Sequence, residues 1–67
     1  MNIGFIGCGR MGGALAKSLV QRGFSAKSIS CFDLNRENLA KMEACGAKIF
    51  QSSREVAKNS NVIFLCV

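Results

Sequence analysis

Short apolar runs alternate with amphipathic stretches along the whole chain, and this alternation predicts strands and helices in turn. The first run, Asn2 to Ile6, has the β-branched and aromatic content of a buried strand and stops at a glycine cluster. From about Arg10 to Arg22 the apolar positions Met11, Ala14, Leu15 and Leu19 recur at helical spacing, with Lys17, Gln21 and Arg22 among the polar remainder. Gly23 ends this helix. A second strand is expected over Ser28 to Phe32, followed by a helix capped by Asn35, with Leu39 and Met42 as its inner stripe and Gly46 as its stop. Ala47 to Phe50 reads as a short third strand. Ser52 and Glu55 have capping-box spacing, which starts a third helix that runs to about Lys58. The last run, Val62 to Val67, is apolar at every position, as suits a strand covered on both faces of a parallel sheet.

Strands joined by right-handed helical crossovers pair in parallel. The expected fold class is therefore α/β, a partial Rossmann-type parallel sheet built as βαβαβαβ with strand order 3-2-1-4. A chain of 67 residues forms at most one small domain and buries only roughly 60% of the surface that its unfolded state exposes. A final apolar strand would leave a sticky edge, so the sequence reads as truncated before its remaining strands.

Composition narrows the class. Apolar residues make up 49% and charged residues 19% of the chain, with no proline, which marks a folding sequence and not a disordered one. Cys8, Cys31, Cys45 and Cys66 are widely spaced, form no CxxC pair and have no histidine beside them, so they read as small buried hydrophobes and not as metal ligands. The net charge of +5 is spread over the whole length without the clustered stripe of a nucleic-acid surface, and it reads as solvated helix faces that also favour a polyanionic ligand. No apolar run approaches the roughly 20 residues that span a bilayer. The start, Met1-Asn2-Ile3-Gly4, lacks the basic region of a signal peptide, so the expected compartment is the cytoplasm, or an organelle whose targeting segment is absent here, with no membrane partner expected.

Gly7-Cys8-Gly9-Arg10-Met11-Gly12 is a GxGxxG string, weak alone because glycine is common. Its context strengthens it. The string follows a predicted strand, opens a predicted helix, and is followed by Asp33, 21 positions beyond Gly12, at the end of the second strand. In that setting Gly7 allows the tight turn, Gly9 admits a pyrophosphate against the backbone, and Gly12 lets the helix pack close to the sheet. The helix start offers unpaired N–H groups and a positive dipole end to the phosphates. The same string also fits a glycine turn with no ligand. Asp33 reads either as a turn residue or as a carboxylate that takes the adenosine ribose hydroxyls, favouring NAD(H) and repelling the 2′-phosphate of NADP(H). Asn35 caps the helix beside it, and Arg36 competes with Asp33 as a group that meets that phosphate. Arg10 adds charge near the pyrophosphate, Met11 is expected to face the core, and Cys8 fills the loop unless the helix terminus depresses its pKa.

These residues carry a resemblance. The opening GFIGCGRMGGALAKSL, the six-residue step from Gly23 to Ile29, and the closing AKIFQSSREVAKNSNVIFLCV resemble the N-terminal domain of pyrroline-5-carboxylate reductase over the whole chain. The 3-hydroxyisobutyrate and 6-phosphogluconate dehydrogenases share the glycine string and the Met-Gly pair, with a shorter connection into the second strand. The resemblance implies hydride transfer from NADPH or NADH to the C=N bond of 1-pyrroline-5-carboxylate, giving proline. It also implies that residues 1–67 are the N-terminal part of an NAD(P)-binding domain. A helical domain that binds the imine substrate and forms a homo-oligomer would lie beyond Val67, so no catalytic residue is assigned. The fragment alone is then expected to be inactive. A related 3-hydroxy acid dehydrogenase and a non-catalytic nucleotide-binding module are the alternatives.

Overall fold

The computed structural model describes residues 1–66. Its elements run β1 (Ile3–Ile6), α1 (Gly9–Gln21), a 3-10 turn (Ala26–Ser28), β2 (Ile29–Phe32), α2 (Arg36–Ala44), β3 (Lys48–Ile49), α3 (Ser53–Lys58) and β4 (Val62–Leu65). The four strands form one sheet in the order β3-β2-β1-β4, and every pair is parallel. This is the α/β architecture that the alternation implies. The side chains of Asn35 and Ser52 accept from the amides of Glu37 and Glu55, so both expected helix caps form.

The register explains the core. Ile3 lies opposite Ile29 and Val62, and Phe5 lies opposite Cys31 and Phe64. The two-residue period of a strand puts Ile3, Phe5, Ile29 and Cys31 on one face, where Ala16 of α1, Met42 of α2 and Ala47 join them in a buried cluster. The opposite face of β1 receives α3. There a Cβ on Gly4 would come within 2.7 Å of Val56 Cγ1, so the missing side chain is what lets the buried Val56 approach the sheet.

Several expectations are corrected. The buried stripe of α1 is Gly12 and Ala16, with Leu19 and Val20 partly buried against the core. Met11, expected to face inward, is 82% exposed, and Ala14 and Leu15 are also exposed. The reason is size. Glycine and alanine bring the helix axis close to the sheet, which turns the larger side chains of the same helix outward. Cys8 and Cys31 are buried as expected, whereas Cys45, which closes α2, is exposed and Cys66 is half-buried. Strand β3 is two residues long instead of four: Lys48 and Ile49 pair in register with β2, and the Phe50 amide still donates to the Cys31 carbonyl as the chain leaves the sheet. Strand β4 is not covered on both faces; it is the sheet edge, and all four of its residues are exposed. Val67, which the sequence includes in that strand, lies outside the described residues. No helix among the described residues is long and apolar enough to cross a membrane.

Candidate functional site

The turn between β1 and α1 is built by backbone conformation. Gly7 (φ 81°) and Gly9 (φ 37°) occupy the left-handed region, which side chains with a Cβ rarely adopt. The Gly7 amide donates to the Phe32 carbonyl at 2.8 Å, which fastens the turn to β2. A Cβ on Gly12 would stand 3.2 Å from the Gly7 carbonyl oxygen and 3.6 Å from Cys66, so this glycine lets the first turn of α1 seat on the loop beneath it. Gly9 differs. No atom lies within 4 Å of the position its Cβ would take, so that side of the loop opens outward as a cradle that a side chain would fill.

The electrostatics of this cradle suit an anion. A helix leaves its first amides without intrahelical partners and carries a partial positive charge at that end. The first turn of α1 holds no acidic residue. A groove of about 390 Å³ runs from Gly9 and Arg10 between α1 and α2, past Lys17, Asn38 and Lys41, and no carboxylate lines it. Arg10 and Met11, the two residues between Gly9 and Gly12, are both exposed. A dinucleotide pyrophosphate therefore fits the loop: space at Gly9, the helix-start amides beyond those of Cys8 and Gly9, which Asp33 takes, and cations along the groove.

Asp33 is the residue whose surroundings the sequence does not disclose. Its Oδ2 accepts from the Cys8 amide at 2.7 Å, from the Asn38 side-chain amide at 3.0 Å and, at 3.4 Å, from the Gly9 amide. Its Oδ1 accepts from the Asn35 amide at 2.8 Å. The Asn35 and Cys8 amides, against a smaller effect of burial, hold its pKa down to about 2. The carboxylate thus ties the glycine loop to the end of β2 and the start of α2. Gly7, Cys8, Gly9, Gly12 and Asp33 meet in one place. Asn35 joins them through its backbone, while its own side chain caps α2. Arg36 is exposed on the first turn of α2 and shares a separate surface depression with Asp33 and Leu34.

Cys8 caps α1 by position only, since its side chain makes no capping bond. Its thiol lies 3.9 Å from the Phe32 carbonyl. Hydrogen bonding to Cys8, with burial, pushes the Cys31 thiol well above its ordinary range, and the same bond lowers Cys8. Burial also raises Cys66. Among the described residues no group of three or more His, Cys, Asp or Glu side chains converges as a metal site would require.

Comparison with known proteins gives a consistent picture. A family model described as NADP oxidoreductase, coenzyme F420-dependent, matches residues 2–67. The chain is 41% identical over 61 residues to a probable mitochondrial 3-hydroxyisobutyrate dehydrogenase of Dictyostelium discoideum, covering 91% of this chain and 18% of that protein. It is 41% identical over 69 residues to a pyrroline-5-carboxylate reductase of Treponema pallidum, covering 100% of this chain and 26% of the relative. Among solved structures, a pyrroline-5-carboxylate reductase from Coxiella burnetii superposes with a TM-score of 0.91 at 31% identity, over 98% of this chain and 25% of that one. The chain thus spans about a quarter or less of the length of these relatives.

Proposed function

The chain belongs to the family described as NADP oxidoreductase, coenzyme F420-dependent, and on that premise we propose that it is the dinucleotide-binding part of an enzyme that reduces 1-pyrroline-5-carboxylate to proline. The observation that carries the cofactor reading is the open cradle at Gly9, where the loop has room for a phosphate and nothing fills the place of a side chain. Gly7, Cys8, Gly9, Arg10, Met11 and Gly12 form the phosphate loop, and Asp33, Asn35 and Arg36 stand at its adenosine side. The cofactor, NADH or NADPH, supplies the hydride when bound. This chain's residues bind and orient it: the backbone of the loop fixes the pyrophosphate, the start of α1 balances its charge, and Arg10 adds a flanking cation. The surface that would position an imine for attack, and that would pair two subunits, belongs in this reading to a helical domain beyond residue 67.

The choice of substrate rests on likeness to the two reductases, one of which matches over the full chain. The equal identity to a 3-hydroxyisobutyrate dehydrogenase keeps one competing reading, oxidation of a 3-hydroxy acid on the same loop. Assay of the gene product that carries these 67 residues, with pyrroline-5-carboxylate and NADPH or NADH beside 3-hydroxyisobutyrate and the oxidised cofactors, separates the two. Proline formation with no turnover of the hydroxy acid is expected. The reverse pattern overturns the substrate assignment and leaves the cofactor assignment standing.

A further inference from the structure

We propose that Asp33 is a positioning residue of the glycine loop, holding the Cys8 and Gly9 amides in place, and that it does not select between NADH and NADPH. This rests on the dinucleotide reading and deepens it. A carboxylate at the end of the second strand invites the assignment of ribose reader, which needs lone pairs free to accept from the 2′- and 3′-hydroxyls. An ionised carboxylate offers about four acceptor sites. Here the amides of Cys8 and Gly9 and the side chain of Asn38 crowd Oδ2, and the amide of Asn35 takes one site of Oδ1, which leaves a single acceptor site, too few for the paired ribose hydroxyls.

The donors come from three directions, which makes the arrangement a latch. Cys8 and Gly9 belong to the loop after β1, Asn35 to the link out of β2, and Asn38 to α2. No other side chain among the described residues bonds the backbone of the loop at Cys8 or Gly9. Both carboxylate oxygens are acceptors, so replacement by an amide turns an NH2 group toward at least one donor. The titratable groups around the carboxylate are the buried thiols of Cys8 and Cys31 and, on the surface depression that Asp33 also lines, Arg36 and Glu43, while Asn35 and Asn38 are neutral. The depressed pKa agrees with this setting, because the loop and link amides favour the ionised form. With Oδ2 committed to the loop and to α2, and Oδ1 tied to the Asn35 amide, a bound cofactor meets the carboxylate chiefly through the loop and feels its loss the same way whether or not the ribose carries a phosphate.

The test joins binding with an observation on the protein alone. Titration of the chain with NADH and with NADPH, followed by cofactor fluorescence, is compared for wild type and Asp33→Asn, and the Cys8 amide proton is followed by NMR. The variant should bind both cofactors about tenfold more weakly, the loss expected when hydrogen bonds to a charged group are removed. The ratio of the two affinities should change by less than about threefold, about 0.7 kcal/mol. The Cys8 amide proton should titrate with Asp33 near pH 2 in wild type and should move upfield in the variant at neutral pH. Should acid unfold the chain first, the neutral-pH shift alone decides the latch. A ratio moved further than threefold toward NADPH, or a Cys8 amide indifferent to both acid and substitution, overturns the proposal. If wild type binds neither cofactor, the dinucleotide reading fails, and the Cys8 amide still shows whether the carboxylate holds the loop.

Discussion

Strands β1 and β4 have the same length, pair residue for residue, and are alike in their apolar and aromatic content, yet their fates differ. Ile3 and Phe5 on β1 are 4% and 0% exposed, whereas Val62, Phe64 and Leu65 on β4 are 40%, 38% and 70% exposed. Hydropathy does not distinguish them. Position in the sheet does, because each crossover from β1 to β2 and from β2 to β3 builds outward on one side, and the return from β3 passes back over β2 and β1 to place β4 on the other side as an edge. The chain leaving β1 is tied down by Gly7 to Phe32 and by Asp33 to Cys8. Beyond β4 the corresponding tie is the Cys66 amide to the Ile6 carbonyl. Beside it, Met11, Leu15, Phe64 and Leu65 line an apolar groove.

The largest test of this contrast is paired truncation. Phe5 and Phe64 stack with ring centroids 5.5 Å apart, so each variant removes the same contact from a different side. Phe5→Ala should cost about 3 to 5 kcal/mol, most of the stability of a domain this small. Phe64→Ala should cost about 1 kcal/mol, since its ring is already partly in water. Equal shifts in urea midpoint would mean that β4 is as enclosed as β1 in solution.

Acid sharpens the comparison at the loop. The folded pKa of Asp33, about 2, lies below its ordinary 3.8. Its contribution to stability is therefore complete above about pH 4, declines as the pH falls through 2, and is absent below. Melting temperatures measured between pH 5 and pH 2 should fall more steeply for wild type than for Asp33→Asn, and the two curves should converge at the acid end. Parallel curves would show that the carboxylate does not hold the loop. At the edge, Leu65→Lys should change stability by less than about 0.5 kcal/mol while reducing self-association, because a charge blunts an exposed strand. Light scattering at rising concentration checks it, and an unchanged profile would show that the edge is not the adhesive surface.

Much of this fold is legible in the chain, for reasons that are local. Alternating runs fix the strand and helix sequence, and the caps at Asn35 and Ser52 bond amides two and three residues away. The strand order follows from right-handed crossovers together with the Rossmann half-fold that the glycine string points to. What escapes are contacts between distant positions. Asp33 and Cys8 are 25 residues apart, and no spacing rule announces that the carboxylate turns back onto the loop. The buried stripe of α1 escapes for another reason: periodicity ranks positions by hydrophobicity and selects Met11 and Leu15, whereas close packing ranks them by size and selects Gly12 and Ala16. Burial of β4 was expected from its composition, but an edge strand in one setting and a central strand in another can share a sequence.

The central claim is that the loop after β1 holds a dinucleotide at Gly9, and fluorescence titration of NADPH and NADH against wild type and Gly9→Val tests it most directly. Valine would place a branched side chain in the open cradle and would strain a backbone with φ of 37°. The wild-type chain should bind saturably, and the variant should bind about a hundredfold more weakly, about 2.7 kcal/mol, with its circular dichroism spectrum retained. Binding of equal strength by the two proteins, or no binding by wild type, would contradict that claim.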